Sequence, residues 1–249
     1  MNLDDMERIS CLTVTQPSRY ALLEQCVRDF DAQSYPNREL LIVHDGGEHF
    51  QVALEALARK FPRSSIRMHQ ADGGLTLGKL RNLAVQNAEG SLVCQWDDDD
   101  RYHPLRLEIQ QAELRAQNAD FSFLMDQLHW FPNSQELYWD NWEVEAYPMN
   151  FIPGTLMGRK EKMPAYPDAR RGEDSAVVMS LLRAECKVAR IRNKGWCYTY
   201  IFHGTNTFGL EHHRAISRLK GQSALRMTMH QRMLQKRISE YTPPFTMND

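Results

Sequence analysis

Long apolar runs and paired cysteines are both missing from this sequence of 249 residues. Because no stretch of about 18 uninterrupted apolar residues occurs, the sequence predicts no membrane-spanning helix. The five cysteines form no C-x-x-C motif, which predicts small buried thiols in a reducing compartment. The first ten residues, MNLDDMERIS, are acidic and contain no apolar segment of the kind that a secretory signal needs. We therefore expect a soluble, cytoplasmic protein.

The sequence also has little net charge. Its 30 Lys and Arg residues nearly balance its 32 Asp and Glu residues, giving a formal net charge of -2. This balance excludes a general attraction to nucleic acid or to anionic membranes, so any basic patch must be local. A hydrophobic content of 42% predicts a folded α/β chain, either one domain of generous size or two small ones.

Short apolar runs alternate with segments of helical periodicity in the first half of the chain. The predicted strands are residues 9–14, 39–43, 65–69 and 91–96. Each is followed by apolar residues at helical spacing, and Pro104 is predicted to open the helix after the fourth strand from its first position. This alternation predicts a mostly parallel sheet flanked by helices, with ligands bound beyond the carboxyl ends of its strands.

Acidic and glycine residues follow three of these strands. Asp45 precedes two glycines after the second strand, and Asp72 precedes Gly73 and Gly74 after the third. Either Asp-Gly pair alone is typical of a plain turn. Because all of them fall at the edge where the fourth strand leads into four consecutive aspartates, we interpret them together as a ligand site.

The aspartate run, residues 97–100, needs a positive partner or water, because four adjacent carboxylates repel one another. In an extended segment Asp97 and Asp99 would face one ligand, while Asp98 and Asp100 would face elsewhere. Carboxylates two residues apart suit Mg²⁺ or Mn²⁺ held together with substrate phosphates. The alternative is a solvated acidic loop in which Asp100 stabilises the turn before the next helix.

Three segments of the sequence resemble family 2 glycosyltransferases over about residues 9–185. They are "ISCLTVTQPSRYALLEQCVRDFDAQSYPNRELLIVHDGG", "GGLTLGKLRNLAVQNAEGSLVCQWDDDDRYHP" and "RRGEDSAVVMSLL". The first is similar to the family's opening strand, helix and "DDGS" strand. The second is similar to its "GG-x-x-x-ARN" helix and DXD motif, and the third to its "ED" element at a helix start. The order and spacing of the three segments carry the resemblance.

The resemblance implies a GT-A fold, with a nucleotide-sugar-binding half (1–104) and an acceptor-binding half (105–210). It also implies an inverting enzyme of polysaccharide biosynthesis. The positions that match the family's donor-binding residues are Thr15, Asp45, Gly73, Arg81, Asp97 and Asp98. Asp99 would hold Mn²⁺ or Mg²⁺, and His203 is a candidate second ligand, the alternative being a structural hydrogen-bonding histidine. His44 and "TQP" depart from the family's usual "DDG" and "TYN", so a UDP-sugar is the first choice of donor but GDP and dTDP stay open.

Transfer to a hydroxyl also needs a base, since the attacking oxygen must lose its proton. Asp174, with Glu173 as the second candidate, stands at a predicted helix start, where the helix dipole favours an ionised carboxylate. The alternative is that these two residues only cap the helix. The aromatic residues after residue 120 are predicted to surround a hairpin near Pro132 and to lie mostly in the core.

The last segment, residues 211–249, is basic and carries no acid between Glu211 and Glu240. It predicts a helix interrupted at Gly221. Two interpretations stay open: a helix packed on the domain or on a second copy, and a peripheral contact with the inner face of a membrane or a lipid-linked acceptor.

Two other function classes compete with glycosyl transfer. A nucleotidyltransferase acting on sugar phosphates also uses paired aspartates, but it usually needs a Gly-rich phosphate loop early in the chain, and "TVTQPSRY" is a poor match to one. A non-catalytic sugar- or metal-binding module is the third class. An EF-hand is excluded, because "DDDDRYHP" lacks the glycine and terminal glutamate of that loop.

Overall fold

A computed structural model describes residues 6–245 of the chain. The strands in this range are β1 (Ile9–Thr15), β2 (Arg38–His44), β3 (Ile66–Gln70), β4 (Leu92–Gln95), β5 (Arg101–Tyr102), β6 (Phe121–Leu124), β7 (Asp126–Phe131), β8 (Glu136–Asn141), β9 (Met157–Arg159), β10 (Val188–Ile191) and β11 (Tyr198–Ile201). The helices are α1 (Tyr20–Asp31), α2 (Gly47–Arg59), α3 (Leu77–Asn87), α4 (Arg106–Ala116), α5 (Glu173–Arg183), α6 (Leu210–Lys220) and α7 (Ala224–Ser239).

Two sheets form the framework. The larger has seven strands in the order β10-β6-β9-β4-β1-β2-β3, and all of its pairs are parallel except those of β9. The smaller sheet has the order β5-β11-β7-β8. The predicted mostly parallel sheet flanked by helices is therefore confirmed. The reversal at β1, where the chain turns from β3 to β4 on the other side, opens a crevice at the strands' carboxyl ends.

Hydrophobic side chains fill both faces of the larger sheet, because successive residues of a strand point to opposite sides. Cys11 of β1 joins a core with α1, α2, α4 and α7, whereas Leu12 joins a second core with α3 and α5. Four of the five cysteines are buried and all five are free thiols, as their isolation in the sequence predicts. Both faces are covered, so ligands reach the sheet only at its ends.

The fourth predicted helix starts later than expected. Pro104 does not occupy its first position, since α4 begins at Arg106. Instead, Nδ1 of the buried His103 accepts a hydrogen bond from the backbone N–H of Leu105 (3.1 Å), which leads the chain into the helix. The predicted hairpin is confirmed, because β7 and β8 pair antiparallel on either side of Pro132.

The C-terminal helices are integral to the packing of the described chain. Leu234 and Ile238 of α7 are buried in the first core, and Tyr241 donates a hydrogen bond to the carbonyl of Trp196 (2.8 Å). Gly221 separates α6 from α7, as predicted. Of the two interpretations, packing on the domain is thus present, while the division of the chain at residues 104 and 210 stays a prediction. Residues 1–5 and 246–249 lie outside the described residues.

His103 makes the fold sensitive to acid. Burial lowers the pKa of His103 to about 4, although Glu240, which accepts a hydrogen bond from its Nε2 (2.8 Å), acts in the opposite direction. The unfolded chain takes up this proton near pH 6.5, so the free energy of unfolding should fall as the pH drops from about 6.5 to 4.

We expect urea unfolding at pH 5 to show a loss of about 2 kcal/mol from this residue relative to pH 7. The His103→Gln variant has no titrating side chain at this position. Between pH 7 and pH 5 it should therefore lose about 2 kcal/mol less stability than the wild type. The exposed His49 supplies the control, since His49→Gln should leave the pH dependence as in the wild type. An unchanged pH dependence in His103→Gln would contradict the assignment.

Candidate active site

A cleft of about 740 Å³ opens at the carboxyl ends of the parallel strands. Thr15 ends β1, Asp45 follows β2, Gly74 follows β3 and Asp97 follows β4, and all four line the cleft. The start of α5, including Asp174, also lines it. The edge predicted from the sequence therefore exists as one continuous site.

The aspartate run forms a turn, not the extended segment that the sequence analysis assumed. All four side chains line the cleft, so the predicted facing of Asp98 and Asp100 away from it is not observed. The four differ in burial: Asp97 and Asp99 are half-buried, whereas Asp98 and Asp100 are only 3% exposed. Burial raises the pKa of Asp98 to about 6, and burial together with Asp99 and Asp97 raises the pKa of Asp100. Burial thus disfavours the charged form at both of these positions.

Asp98 is held by groups from the end of β1 and the turn before α1. Thr15 Oγ1 donates a hydrogen bond to Asp98 Oδ2 (2.6 Å), and Arg19 Nη2 lies 2.6 Å from Asp98 Oδ1. The same guanidinium lies 2.5 Å from Asp99 Oδ2. Arg19 was not predicted as a site residue, because its only signal in the sequence is its position four residues after the first strand. Thr15 and Asp98 thus contact each other, and both line the cleft.

Asp99 and His203 come together although they lie far apart in the sequence. His203 Nε2 is 3.0 Å from Asp99 Oδ2, and both side chains are mostly buried. Burial raises the pKa of Asp99, but the hydrogen bond from His203 and the charge of Arg19 outweigh it, so the net shift is downward. Asp99 is consequently an ionised carboxylate beside an imidazole.

This pair fits a divalent ion of the Mn²⁺ or Mg²⁺ type. Within residues 6–245, no group of three or more His, Cys, Asp or Glu side chains is arranged to hold a metal. A carboxylate and an imidazole nevertheless supply two ligands of suitable chemistry, and hard ions of this class usually take their remaining ligands from water and substrate phosphates. Asp99 and His203 are therefore the residues that would hold the ion.

Arg81 of α3 connects the aspartate run to α5. Its Nη2 lies 2.8 Å from Asp97 Oδ1, and its Nε lies 3.0 Å from Glu173 Oε1. Gln95 also donates to Asp97, from Nε2 to Oδ2 (2.9 Å). Arg81 and Glu173 are both buried. Arg81 thus holds Asp97 in place and neutralises a buried glutamate.

Loss of Arg81 should destabilise the fold, because it leaves the buried Glu173 carboxylate without its partner. We expect Arg81→Leu to lower the free energy of unfolding by about 3–5 kcal/mol. The double variant Arg81→Leu with Glu173→Leu should recover most of this loss, because no buried charge is then unpaired. Urea unfolding of the two variants checks this. Equal losses in both would mean that the ion pair does not carry the stability.

Asp174 is in a different environment from its neighbour Glu173. It is half-buried, lines the cleft and accepts a hydrogen bond at Oδ1 from the backbone N–H of Ser175 (2.7 Å). No ion pair to Asp174 is present in the described part of the chain. Asp174 is therefore the carboxylate of α5 that faces the cleft without a charged partner among the described residues.

Some of the other residues singled out in the sequence line the cleft, and the rest do not. Asp45 lines the cleft. Gly73 does not, but its neighbour Gly74, with φ of 83°, does. His44 is fully buried, and its Nε2 contacts Gln51 of α2 (2.8 Å) instead of facing the site. Of the aromatic residues after position 120, Trp130 and Trp139 are buried in the core as predicted, whereas Trp142 lines the cleft.

The seven-stranded sheet, its helices and the acidic crevice define a GT-A fold. The sequence model of glycosyl transferase family 2 matches residues 14–169. Since this match covers more than half of the chain, the chain belongs to glycosyl transferase family 2.

Solved structures agree with this fold. The "Crystal structure of S. aureus TarS 1-349" has a TM-score of 0.60 at 17% identity and covers 78% of this chain, which spans 60% of that one. TarS 1-349 in complex with UDP-GlcNAc has a TM-score of 0.59 at 16% identity, over 85% of this chain and 65% of that one. A mannosyltransferase from Pyrobaculum calidifontis, in complex with GDP-Man and Mn2+, has a TM-score of 0.61 at 13% identity, over 94% of this chain and 70% of that one.

No curated protein sequence matches this chain. In the described range no helix is long and apolar enough to cross a membrane.

Proposed function

We propose that this glycosyltransferase moves a sugar from a nucleoside diphosphate to a hydroxyl of a glycan or lipid-linked acceptor, with inversion at the anomeric carbon. One observation carries the proposal: Asp45, Asp99 and Asp174, the candidates for contact with nucleobase, metal-bound diphosphate and acceptor, line a single cleft. TarS with UDP and UDP-GlcNAc, and the mannosyltransferase with GDP-Man and Mn2+, support a nucleotide-sugar donor. A UDP-sugar is the first candidate.

Different residues of the cleft are proposed to bind the nucleobase, the sugar and the metal. Within residues 6–245 the side chain of Asp45 makes no hydrogen bond or ion pair, so its carboxylate is available to an N–H of the nucleobase. Arg81 orients Asp97 beside the sugar, and Asp99 with His203 would hold Mn²⁺ or Mg²⁺. When bound, such an ion neutralises the charge that develops on the leaving diphosphate.

Asp174 would accept the proton of the attacking hydroxyl. It lines the cleft at the start of α5. In the proposed arrangement the acceptor hydroxyl lies between Asp174 and the donor and attacks from the face opposite the diphosphate. Glu173 is the second candidate, but its hydrogen bond to Arg81 assigns it to positioning. A direct displacement of this kind inverts the anomeric configuration.

A panel of nucleotide sugars tests the donor. The protein is incubated with UDP-, GDP- and dTDP-sugars with and without Mn²⁺, and nucleoside diphosphate release and thermal stabilisation are measured. Metal-dependent release of a diphosphate supports the proposal. Release of pyrophosphate from a nucleoside triphosphate and a sugar phosphate would instead identify a nucleotidyltransferase, and stabilisation without turnover would identify a binding module.

The basic C-terminal helices carry the proposed contact with the inner face of a membrane. Leu225, Met229, Arg232 and Lys236 stand at positions i, i+4, i+7 and i+11 of α7, so they share one face, and all four are exposed. Leu225 and Met229 are 72% and 74% exposed. Apolar side chains flanked by cations on one helix face favour an anionic lipid surface.

We expect the double variant Leu225→Glu with Met229→Glu to lower the affinity for anionic vesicles at least about tenfold, because it removes two inserting side chains and adds two repelled charges. Co-sedimentation with phosphatidylglycerol-containing vesicles at low salt measures this. Val52→Glu, at an apolar position of α2 that is 60% exposed, is the control. Absence of binding by the wild-type protein would refute the membrane contact.

A further inference from the structure

The chain itself places a cation beside the aspartate run. Arg19 ends a short 3₁₀ turn, Pro17–Arg19, between β1 and α1, and its backbone N–H donates to the carbonyl of Gln16 (2.9 Å). Because β1 lies next to β4 in the sheet, this turn stands beside the aspartates that follow β4. The Arg19 side chain is 28% exposed and lines the cleft, so it is within reach of both the aspartates and a bound ligand.

One side of the Arg19 guanidinium is anchored on Asp98. Nε of Arg19 donates to both carboxylate oxygens of Asp98, at 2.9 and 3.0 Å, and Thr15 Oγ1 donates to Oδ2. Asp98 is only 3% exposed. A buried carboxylate with this many donors is well ordered, so Asp98 fixes the position of Arg19.

The other side of the guanidinium contacts the candidate metal ligand. Nη2 of Arg19 lies 2.5 Å from Asp99 Oδ2, and His203 Nε2 lies 3.0 Å from the same oxygen. An ion ligated by both Asp99 and His203 would bind next to this oxygen. Two cations in contact with one carboxylate oxygen repel each other strongly in a partly buried site. Arg19 and a divalent ion therefore compete for Asp99.

Arg19 also keeps donors for a further partner. A guanidinium carries five N–H donors. Nε and Nη2 pair with Asp98 and Asp99, while Nη1 makes no hydrogen bond within residues 6–245. The planar N–H fork of arginine matches phosphate oxygens well. A rotation that moves Nη2 away from Asp99 would therefore allow Arg19 to donate to a diphosphate in the cleft while Nε stays on Asp98.

We propose that Arg19 makes the site selective for a divalent ion that is bound to a diphosphate. Alone, Arg19 pairs with Asp98 and Asp99 and opposes the binding of a free ion. With a metal–diphosphate complex, Nη2 exchanges Asp99 for a phosphate oxygen, so the guanidinium and the ion no longer compete. Arg19 is then a specificity-determining residue of donor binding. This inference rests on the proposed function, because it concerns the same metal and diphosphate.

Binding of Mn²⁺ without nucleotide tests the competition. EPR measures the free ion while Mn²⁺ is added to the full-length protein. Arg19→Gln keeps an N–H donor for Asp98 but removes the charge, so it should bind Mn²⁺ alone about tenfold more tightly than the wild type. The same variant should bind UDP about tenfold more weakly at saturating Mn²⁺, because a charge-assisted hydrogen bond to phosphate is lost.

Two further variants separate contact from charge. Arg19→Lys keeps the charge and should bind Mn²⁺ alone as weakly as the wild type does. Arg171→Gln removes an equal charge from the lining of the same cleft, but Arg171 makes no ion pair with the aspartates in the described part of the chain. Its affinity for Mn²⁺ alone should therefore be unchanged. Thermal unfolding of each variant shows that the titrations are made on folded protein.

The proposal is overturned if Arg19→Gln binds Mn²⁺ alone no more tightly than the wild type, or if it binds UDP with Mn²⁺ normally. A fall in both affinities would make Arg19 only a structural support of Asp98, and an equal gain in Arg171→Gln would assign the effect to the overall charge of the cleft. Either result also overturns it. Failure of the wild type to bind UDP with Mn²⁺ would refute the proposed function and this inference with it, whereas the other outcomes leave the proposed function standing.

Discussion

Asp174→Asn should lower the turnover of the nucleotide sugar by about 10²-fold or more while leaving donor binding intact. The substitution keeps the size of the side chain and its acceptor for the Ser175 N–H, but it removes the basicity that deprotonates the attacking hydroxyl. Nucleotide release measures turnover, with water or methyl glycosides as acceptor, and calorimetry measures donor affinity.

A merely structural Asp174 would tolerate this change, because asparagine caps helix starts about as well as aspartate. Glu173→Gln provides the comparison. Since Glu173 bonds to Arg81, its substitution should affect stability and the placement of Asp97 more than the chemical step. Near-normal turnover in Asp174→Asn, together with a loss of 10²-fold or more in Glu173→Gln at unchanged donor affinity, would move the base to Glu173.

The stereochemistry of the product gives independent evidence on the base. A displacement assisted by Asp174 produces the anomeric configuration opposite to that of the donor. NMR of the glycosylated product determines this configuration directly. Retention would require a different mechanism, with a nucleophile in place of a base, and Asp174 would then be withdrawn as the catalytic base.

The second large effect concerns the metal. We expect Asp99→Asn to weaken the binding of UDP in the presence of Mn²⁺ by about 10–100-fold, because it removes the ionised ligand beside His203. Calorimetric titration of UDP with Mn²⁺, repeated with a chelator, measures the metal-dependent part. The chelator should reduce the wild-type affinity to that of the variant and leave the variant unchanged.

Asp72→Asn is the control for charge at the same edge of the sheet. Asp72 is exposed and does not line the cleft, so its neutralisation should leave metal-dependent UDP binding unchanged. If Asp99→Asn binds UDP and Mn²⁺ as tightly as the wild type, the metal is held elsewhere. Thermal unfolding of both variants confirms that the comparison is made on folded protein.

Much of the nucleotide-binding half was predictable from the sequence. The runs that become β1, β2 and β4 are short, apolar and separated by helical periodicity, and this pattern leads to a parallel sheet through right-handed crossovers. The carboxyl ends of parallel strands then meet at one edge. Local sequence was therefore enough to place Asp45 and the aspartate run at the same edge of the sheet, on either side of β1.

Contacts between distant segments could be established only in the folded chain. Arg19 on the aspartates, His203 on Asp99 and Arg81 on Glu173 join positions separated by 79, 104 and 92 residues. No periodicity specifies such pairs, because they depend on how the sheets and α5 come together. The unpaired side chain of Asp174 is likewise visible only once Glu173 is seen to bond Arg81.

The C-terminal segment shows the same division between local and tertiary information. Its basic composition and the break at Gly221 were readable from the sequence and match the two helices α6 and α7. Composition could not show that Leu234 and Ile238 are buried while Leu225 and Met229 are exposed. Which side of an amphipathic helix meets the domain is decided by the surface it packs on, and only the tertiary structure supplies that surface.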